Sequence, residues 1–414
     1  MKHIVIVNHN AGSPYHGPNF RSYYSAIGWV KSGYKVTIVC SSFSHKLNRK
    51  PKVSKSFKKE IIDGVNFLWL KTIPYKSNVS RLFNYLHFYF KLNSLSKYIV
   101  EDVDYVICSS PPPLWIWSCL SFARNKDSVL FFEARDLWPD VVIETTRFWF
   151  FNPVVWIMKL AEKISYLKSD HVIGVNASAI KIMSKRGLRF NKFTAIPNGF
   201  HRTNDQSKNQ NLEVFKDILK LKEDGWFMIG YSGALSPVYS LDYFLDAAKA
   251  LKSEKIAFIL AGKGKYEQKI KKASKAFGNV LLVGWVDKND LQTFLSLMDV
   301  CFAGLLDFPS FTFGSDSTKL YEYMNASKPI LHSINDDNSV VVRSNGGVRV
   351  NAESSEEIIN GIKYLQSKDT NELEELGKNG KKYLELNNSS NVLSTRWNNL
   401  FEMYSKSIND KSTK

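Results

Sequence analysis

Residues Gly314 to Pro329, GSDSTKLYEYMNASKP, place a serine, a threonine, a lysine and a glutamate at the spacing of a helix start. Ser317 has an N-cap side chain, so a helix is predicted from Thr318 onward with its free amides turned outward. Such a terminus attracts anions. A nucleotide diphosphate set there takes hydrogen bonds from the amides of Thr318 and Lys319, and the Lys319 ammonium adds charge. Glu322 follows about one turn later, where it can accept hydrogen bonds from ribose hydroxyls. An ordinary capped surface helix is the competing explanation.

These residues need a scaffold, and the hydrophobic pattern supplies two. In the first half, HIVIVN, KVTIVCSS, DYVICSS, SVLFFEA and HVIGVN read as apolar strands alternating with helical stretches, the first helix near Asn19 to Ser32. The second half repeats the alternation with GWFMIGYSG, KIAFILAG, GNVLLVGW, VCFAGL and KPILHSI. Alternation of this kind predicts an α/β protein with two doubly wound parallel sheets. The Pro-Asn-Gly turn and polar run in AIPNGFHRTNDQSKNQN mark a boundary near residue 200. The predicted domains are 1–198, 199–388 and a C-terminal helix with tail at 389–414, frayed from Asn409. A cleft between two such domains is the expected ligand site.

Size and charge narrow the class. A chain of 414 residues, 44% hydrophobic and 14% aromatic, can bury two sizeable cores. The four cysteines, Cys40, Cys108, Cys119 and Cys301, lack metal-ligand or redox spacing and read as reduced buried thiols, which favours a cytoplasmic protein. The opening MKHIVIVNHN is too short in its apolar run for a signal peptide. Residues 1–198 hold 28 Lys and Arg against 12 Asp and Glu, +16, whereas residues 199–414 hold 28 against 27, +1. So uneven a division predicts that the first half meets an anionic surface, lipid or nucleic acid. Two basic aromatic stretches, Arg81 to Tyr98 and Arg147 to Lys168, fit a lipid interface, although most of their aromatics are expected in the core.

The sequence resembles the glycosyltransferases of family 4, and within them the branch that builds bacterial O-antigen and capsular polysaccharides. The carrying segments span the chain in order: YHGPNFR (15–21), SSPPPL (109–114), EARDLWPD (133–140), IPNGF (196–200), GYSGAL (230–235), LAGKGK (260–265) and STKLYEYM with ASKP (317–329). The resemblance implies the GT-B fold, two Rossmann-like domains facing a cleft. It also implies a retaining transferase of hexosyl or N-acetylhexosaminyl type. The implied partners are a UDP-linked sugar donor and a lipid-linked saccharide acceptor, with no cofactor and no nucleic acid. The implied place is peripheral, at the inner face of the plasma membrane, in surface polysaccharide biosynthesis.

Carried over by position, Glu322 matches the second glutamate of the family's paired signature, which binds the nucleotide ribose, while Gly314 stands where the first belongs. Asp316 or Asp307 are substitutes for that role. Ala234 occupies the arginine place and Tyr239-Ser240 the lysine place of the family's diphosphate pair, so Lys319, Lys263 or Lys265 must supply the charge. Gly233 belongs to the same donor loop, and Gly17 is what survives of the glycine-rich loop after the first strand. His16, Asn19 and Arg21 are expected on the acceptor side. Glu133, Arg135 and Asp136 close a strand at the end where doubly wound sheets bind ligands, so Arg135 and Asp136 join Lys319 as catalytic candidates. A salt-bridged loop pair is their competing explanation.

Asp102-Val103-Asp104 matches the Asp-x-Asp metal site of GT-A transferases but precedes its strand, at the wrong end of the sheet, and is expected to be a solvated turn. A metal-free donor site is expected. Two rivals remain: a non-catalytic protein that binds membrane or nucleic acid through its basic half, and a nucleotide-sugar epimerase of the same architecture.

Overall fold

A computed structural model of the chain describes every residue except 18, 146–148, 201–214, 315 and 413–414. It divides into two compact units, Met1–Gly199 with Phe313–Asp316 and Ser390–Lys414, and Phe200–Thr312 with Ser317–Ser389.

The first unit is built on strands β1 (His3–Val7), β2 (Lys35–Ser41), β3 (Phe57–Ile62), β4 (Val65–Leu70), β5 (Tyr105–Ser109), β6 (Val129–Ala134), β7 (His171–Gly174) and β8 (Phe193–Ala195). They form one sheet in the order β3-β4-β2-β1-β5-β6-β7-β8, parallel throughout except for β3 against β4. The continuous apolar strands follow from burial on both faces. In β1, Val5 and Val7 enter one hydrophobic cluster and Ile4 and Ile6 the other. The β3–β4 hairpin was not anticipated. Its turn is Asp63-Gly64, both at positive φ (50° and 79°), the dipeptide that two-residue hairpins favour.

The C-terminal helix Ser390–Ser412 belongs to this first unit and continues past Asn409, where composition predicts fraying. It lies against helix Arg21–Lys31 at close range. A Cβ on Gly28 would fall 2.1 Å from Ser394 Oγ, so a larger residue there would force the Ser394 side chain to turn away. Trp29 then meets Trp397 and Phe401 edge-on at 5.2 and 5.4 Å, and Phe401 stacks on Tyr105 at 4.6 Å.

Three expectations need correction. Asp104 is not merely solvated: its carboxylate accepts the His3 backbone N–H at 2.7 Å and its carbonyl accepts from Val129, pinning two strand starts. The aromatics of the two basic stretches are not mostly core. Helix Pro153–Lys168 buries Val155, Met158, Ala161 and Tyr166 but exposes Trp156, Ile157, Leu160 and Leu167, and Phe150 and Phe151 before it are exposed too. Helix Asn78–Leu92 buries Phe88 and Leu92 and exposes Val79, Phe83, Leu86 and Phe90. Ser317 stands at an N-cap position, yet its side chain makes no capping bond. Arg147 lies outside the described residues. All four cysteines are buried and free. Among the described residues no helix is long and apolar enough to cross a membrane.

The second unit has six parallel strands, β9 (Phe227–Ser232), β10 (Ile256–Ala261), β11 (Val280–Gly284), β12 (Val300–Gly304), β13 (Ile330–Ser333) and β14 (Gly347–Val350), in the order β11-β10-β9-β12-β13-β14. This is the doubly wound order, and its direction of winding reverses between β9 and β12. Ile256, Phe258 and Leu260 of β10 face one cluster while Ala257, Ile259 and Ala261 face the other.

Candidate functional site

In the second unit a pocket of about 330 Å³ opens at the carboxyl ends of β9, β10 and β11. Its floor is made by backbone meeting backbone. The Gly233 N–H donates to Ala261 O at 3.0 Å, Leu235 N–H to Lys263 O at 2.9 Å, and Gly262 N–H to Gly284 O at 2.6 Å. A Cβ on Gly262, whose φ is +149°, would lie 1.8 Å from Gly233 O, so this loop closes only with glycine. Helix Thr318–Asn325 starts at the pocket wall, which includes Ser317, Thr318, Lys319 and Glu322.

Lys319 is the unusual group. Its ammonium nitrogen is covered and has no hydrogen-bond partner among the described residues. It lies 3.9 Å from the Tyr231 ring centre and 4.2 Å from that of Tyr239, held by the faces of two aromatic rings. Burial lowers its pKa from the ordinary 10.5 to about 7. Gly233 makes room for it, since a Cβ there would stand 2.9 Å from Lys319 Cε. The amides of Thr318 and Lys319 donate to no group among the described residues, as expected for a first helical turn. Thr318 and Lys319, whose two amides and one ammonium have no acceptor among the described residues, both line this pocket.

Glu322 lies on the same wall. Gln292 Nε2 donates to its Oε2 at 3.2 Å, while burial raises the carboxyl pKa against the pull of Lys288 and that hydrogen bond. Lys288, Trp285 and Leu291 complete the opposite rim. Lys263 and Lys265 are exposed and do not line the pocket. Lys263 instead sits 5.6 Å from the Trp285 ring centre, so Lys319 and Lys288 are the pocket's cations. Tyr231, Gln292 and Lys288 escaped the sequence reading, and Tyr239 was named there only as standing at the lysine place. The two tyrosines stood inside or beside the quoted GYSGAL segment, yet nothing in a strand pattern says that a tyrosine face will meet a lysine.

The candidates of the first unit divide between engaged and open groups. Arg21 is fully used: Nε donates to Glu133 Oε1 at 2.8 Å, Nη2 to Ile196 O at 2.8 Å and Nη1 to Pro197 O at 2.5 Å. Ser109 Oγ donates to the other Glu133 oxygen at 2.6 Å. Burial would raise the Glu133 carboxyl, but Arg21 and Arg135 hold it below its ordinary value. His16 is buried, its Nδ1 3.0 Å from Ser13 Oγ and its Nε2 3.4 Å from Glu60, and burial lowers its pKa. Gly17, at φ +124°, has no room for a Cβ, which would lie 2.7 Å from Asn48 N. Arg21, His16 and Gly17 thus each have a structural partner in this unit, in Glu133 with two backbone carbonyls, in Ser13 and Glu60, and in the Asn48 backbone.

Asn19 bridges, donating to Asn10 O at 2.9 Å and accepting from Arg135 Nη1. Arg135 and Asp136 are not ion-paired. Arg135 Nε is buried without a partner, and the Asp136 carboxylate accepts no hydrogen bond among the described residues. Burial raises the Asp136 pKa against Arg135 and Lys46. Of the first-unit candidates these two keep polar atoms uncommitted. Asp316 accepts the Asn198 amide at 2.5 Å, whereas Asp307 donates its backbone amide to Glu353 and its carboxylate accepts no hydrogen bond among the described residues.

Two Rossmann-like α/β sheets in one chain, one of them with a pocket at the carboxyl ends of its strands, fit the GT-B class. Comparison with known proteins agrees. The Glycosyltransferase Family 4 family matches residues 17–203, and the family described as Glycosyl transferases group 1 matches residues 213–383. A sucrose-phosphate synthase from Thermosynechococcus elongatus superposes with a TM-score of 0.72 at 13% identity, covering 98% of this chain and 100% of that one. An Escherichia coli structure described as trehalose-6-phosphate bound with UDP-2-fluoro glucose gives 0.71 at 11% identity, over 97% and 99%. Anabaena HepE in complex with UDP and glucose gives 0.66 at 13% identity, over 97% and 100%. No curated protein matches the sequence significantly. The chain is a glycosyltransferase, with a Family 4 domain followed by a group 1 domain.

Proposed function

We propose that the enzyme is a retaining transferase that moves a hexosyl or N-acetylhexosaminyl group from a UDP-linked donor to a lipid-linked saccharide at a membrane surface, in surface polysaccharide synthesis. The observation that carries the donor half is the covered, unpartnered Lys319 ammonium beside two free amides in a pocket with Glu322 on its wall. A diphosphate satisfies the three donors, and the ribose hydroxyls fall to Glu322. As the glycosidic bond breaks, negative charge grows on the leaving diphosphate, and donors already aimed at it stabilise that charge without reorganising. UDP is the favoured nucleotide because HepE and the Escherichia coli protein were each solved with UDP or a UDP-sugar. Arg135 and Asp136, with their uncommitted polar atoms, are assigned to the acceptor.

The lipid half rests on the +16 of residues 1–198 and on the exposed apolar faces of helices Asn78–Leu92 and Pro153–Lys168. Calorimetric titration with UDP, GDP and ADP tests the donor assignment. Saturable binding of UDP is expected, and absence of binding by all three refutes it. Transfer from UDP-sugars to a membrane extract, against transfer to soluble sugar phosphates, tests the acceptor; activity on the soluble phosphates alone overturns the lipid-linked assignment.

A further inference from the structure

The first unit holds a second pocket, of about 720 Å³, bounded by helix Asp140–Thr145, helix Pro153–Lys168 and the turn Ser184–Arg186. Its charges sort into two groups. Asp140 and Glu162 are both claimed by Arg186, at 2.5 and 2.8 Å, and Tyr166 donates a further bond to Glu162 at 2.8 Å. Lys159, Lys163 and Lys185 also line the pocket, and none has an ion-pair partner among the described residues. With two acids balanced against four cations, the lining carries a net +2.

The apolar face of the same helix reaches this pocket from both ends. Trp156, Leu160, Lys163 and Leu167 follow at intervals of four, three and four residues, so they share one face, and Lys163 stands within the apolar stripe. Leu167 packs beside Gly187 of the pocket rim, where a Cβ would lie 3.5 Å from Leu167 Cδ2. At the other end the Lys159 ammonium is 4.1 Å from the Trp149 ring centre and 4.9 Å from that of Trp156. Trp156 and Leu160 are each 53% exposed and Phe151 77% exposed. A free phosphate needs the lysines but has no use for this rim. An amphiphile whose headgroup ends in phosphate uses both.

We propose that this pocket holds the phosphate of a membrane lipid, a terminal phosphomonoester or diphosphate, while the Trp156–Leu167 face lies against the acyl region. The assignment rests on the membrane reading given above and adds a specific site to it. Lys163 and Lys185, without ion-pair partners among the described residues, supply mobile point charges suited to a headgroup that arrives in varied orientation, and Arg186 is fixed by its two carboxylates as the pocket wall.

The test is co-sedimentation of the full chain, at physiological salt, with three phosphatidylcholine vesicles: undoped, doped with phosphatidylglycerol, and doped with phosphatidic acid, the last two matched in zeta potential. The wild type is expected to prefer phosphatidic acid at matched potential. Lys163→Ala/Lys185→Ala should weaken binding to those vesicles by about 30-fold and abolish the preference, since each well-placed lysine is worth roughly fivefold at an anionic surface. Both lysines are exposed, and a melting curve for each variant confirms folding. Lys52→Ala/Lys97→Ala, which removes the same charge elsewhere on this unit, should keep the preference.

Trp156→Ser/Leu160→Ser should weaken binding to all anionic vesicles. If it does not, and inorganic pyrophosphate binds Lys319→Met protein without vesicles but no longer does so once Lys163→Ala/Lys185→Ala is added, the ligand is a free phosphate and the lipid assignment falls. Equal binding to both doped vesicles, or a preference that survives loss of the two lysines, overturns the site while leaving general membrane association intact. No binding to any anionic vesicle, even at low salt, removes the membrane reading itself.

Discussion

Two buried cations, one in each unit, make opposite statements. Arg21 donates to Glu133 and to two backbone carbonyls, so its charge is consumed in holding the Ile196-Pro197 segment to the first sheet. Lys319 in the second unit has only the faces of Tyr231 and Tyr239 and no hydrogen-bond acceptor. A buried ion with every donor used belongs to the architecture. A buried ammonium with none used is destabilising in the empty protein, which makes it a candidate to meet a ligand that brings the negative charge.

Removal of each cation should therefore act in opposite directions on stability. Arg21→Met leaves the buried Glu133 without its ion-pair partner, keeping only the Ser109 hydrogen bond and the charge of Arg135, and should destabilise the first unit by about 3 kcal/mol, read from denaturant unfolding. Lys319→Met replaces a lone buried charge with an apolar chain of similar length, and the unliganded protein should melt at the same or a higher temperature. The same variant should lose about 3 kcal/mol of UDP affinity, the upper range for a hydrogen bond to a charged group, and turnover should fall further because the charge matters most as the diphosphate departs. A destabilised Lys319→Met with unchanged UDP binding would erase the contrast.

Glu322 sharpens it at smaller scale. The carboxylate already accepts from Gln292, so Glu322→Ala should weaken UDP by about 1.5 kcal/mol with little change in melting. A larger effect on UMP-free pyrophosphate than on UDP would move Glu322 from the ribose to the phosphate side.

Much of this scaffold was legible because strand burial on both faces writes itself as continuous apolar runs, as in HIVIV and IAFILA. The helix start at Thr318 was legible as well, since it is a local feature with a local spacing. What escaped was everything set by contact across the chain. The sequence offers Arg21, His16 and Gly17 as loop residues near a strand end, and only folding shows that Glu133, Glu60 and Asn48 have claimed them. Likewise Lys263 and Lys265 are as basic as Lys288 in the sequence, but the turn after β10 carries them away from the pocket while helix Lys288–Ser296 starts on its rim. The Asp63-Gly64 hairpin, by contrast, carried a local signal and could have been found.

A pH dependence is the effect most specific to Lys319. Its pKa near 7 in the empty protein, against 10.5 for an ordinary lysine, means that the folded chain holds fewer protons than the unfolded chain between those values. Stability of the unliganded protein should therefore rise with pH across that window, the burial penalty being present in full below it. Diphosphate binding reverses the preference, because the anion favours the ammonium. Above pH 7 the protein must take up a proton to bind UDP, and the dissociation constant should grow by up to about tenfold per pH unit until the pKa of the complex is reached. Measuring between pH 7.5 and 9.5 keeps the nucleotide's own phosphate fully ionised, and calorimetry in buffers of different ionisation enthalpy counts the proton directly. Uptake approaching one proton per UDP is expected at pH 8.5 for the wild type, with none for Lys319→Met. A wild type whose affinity and heat are flat across that range would mean that the nucleotide does not meet this ammonium, and the diphosphate would have to be sought at Lys288 instead.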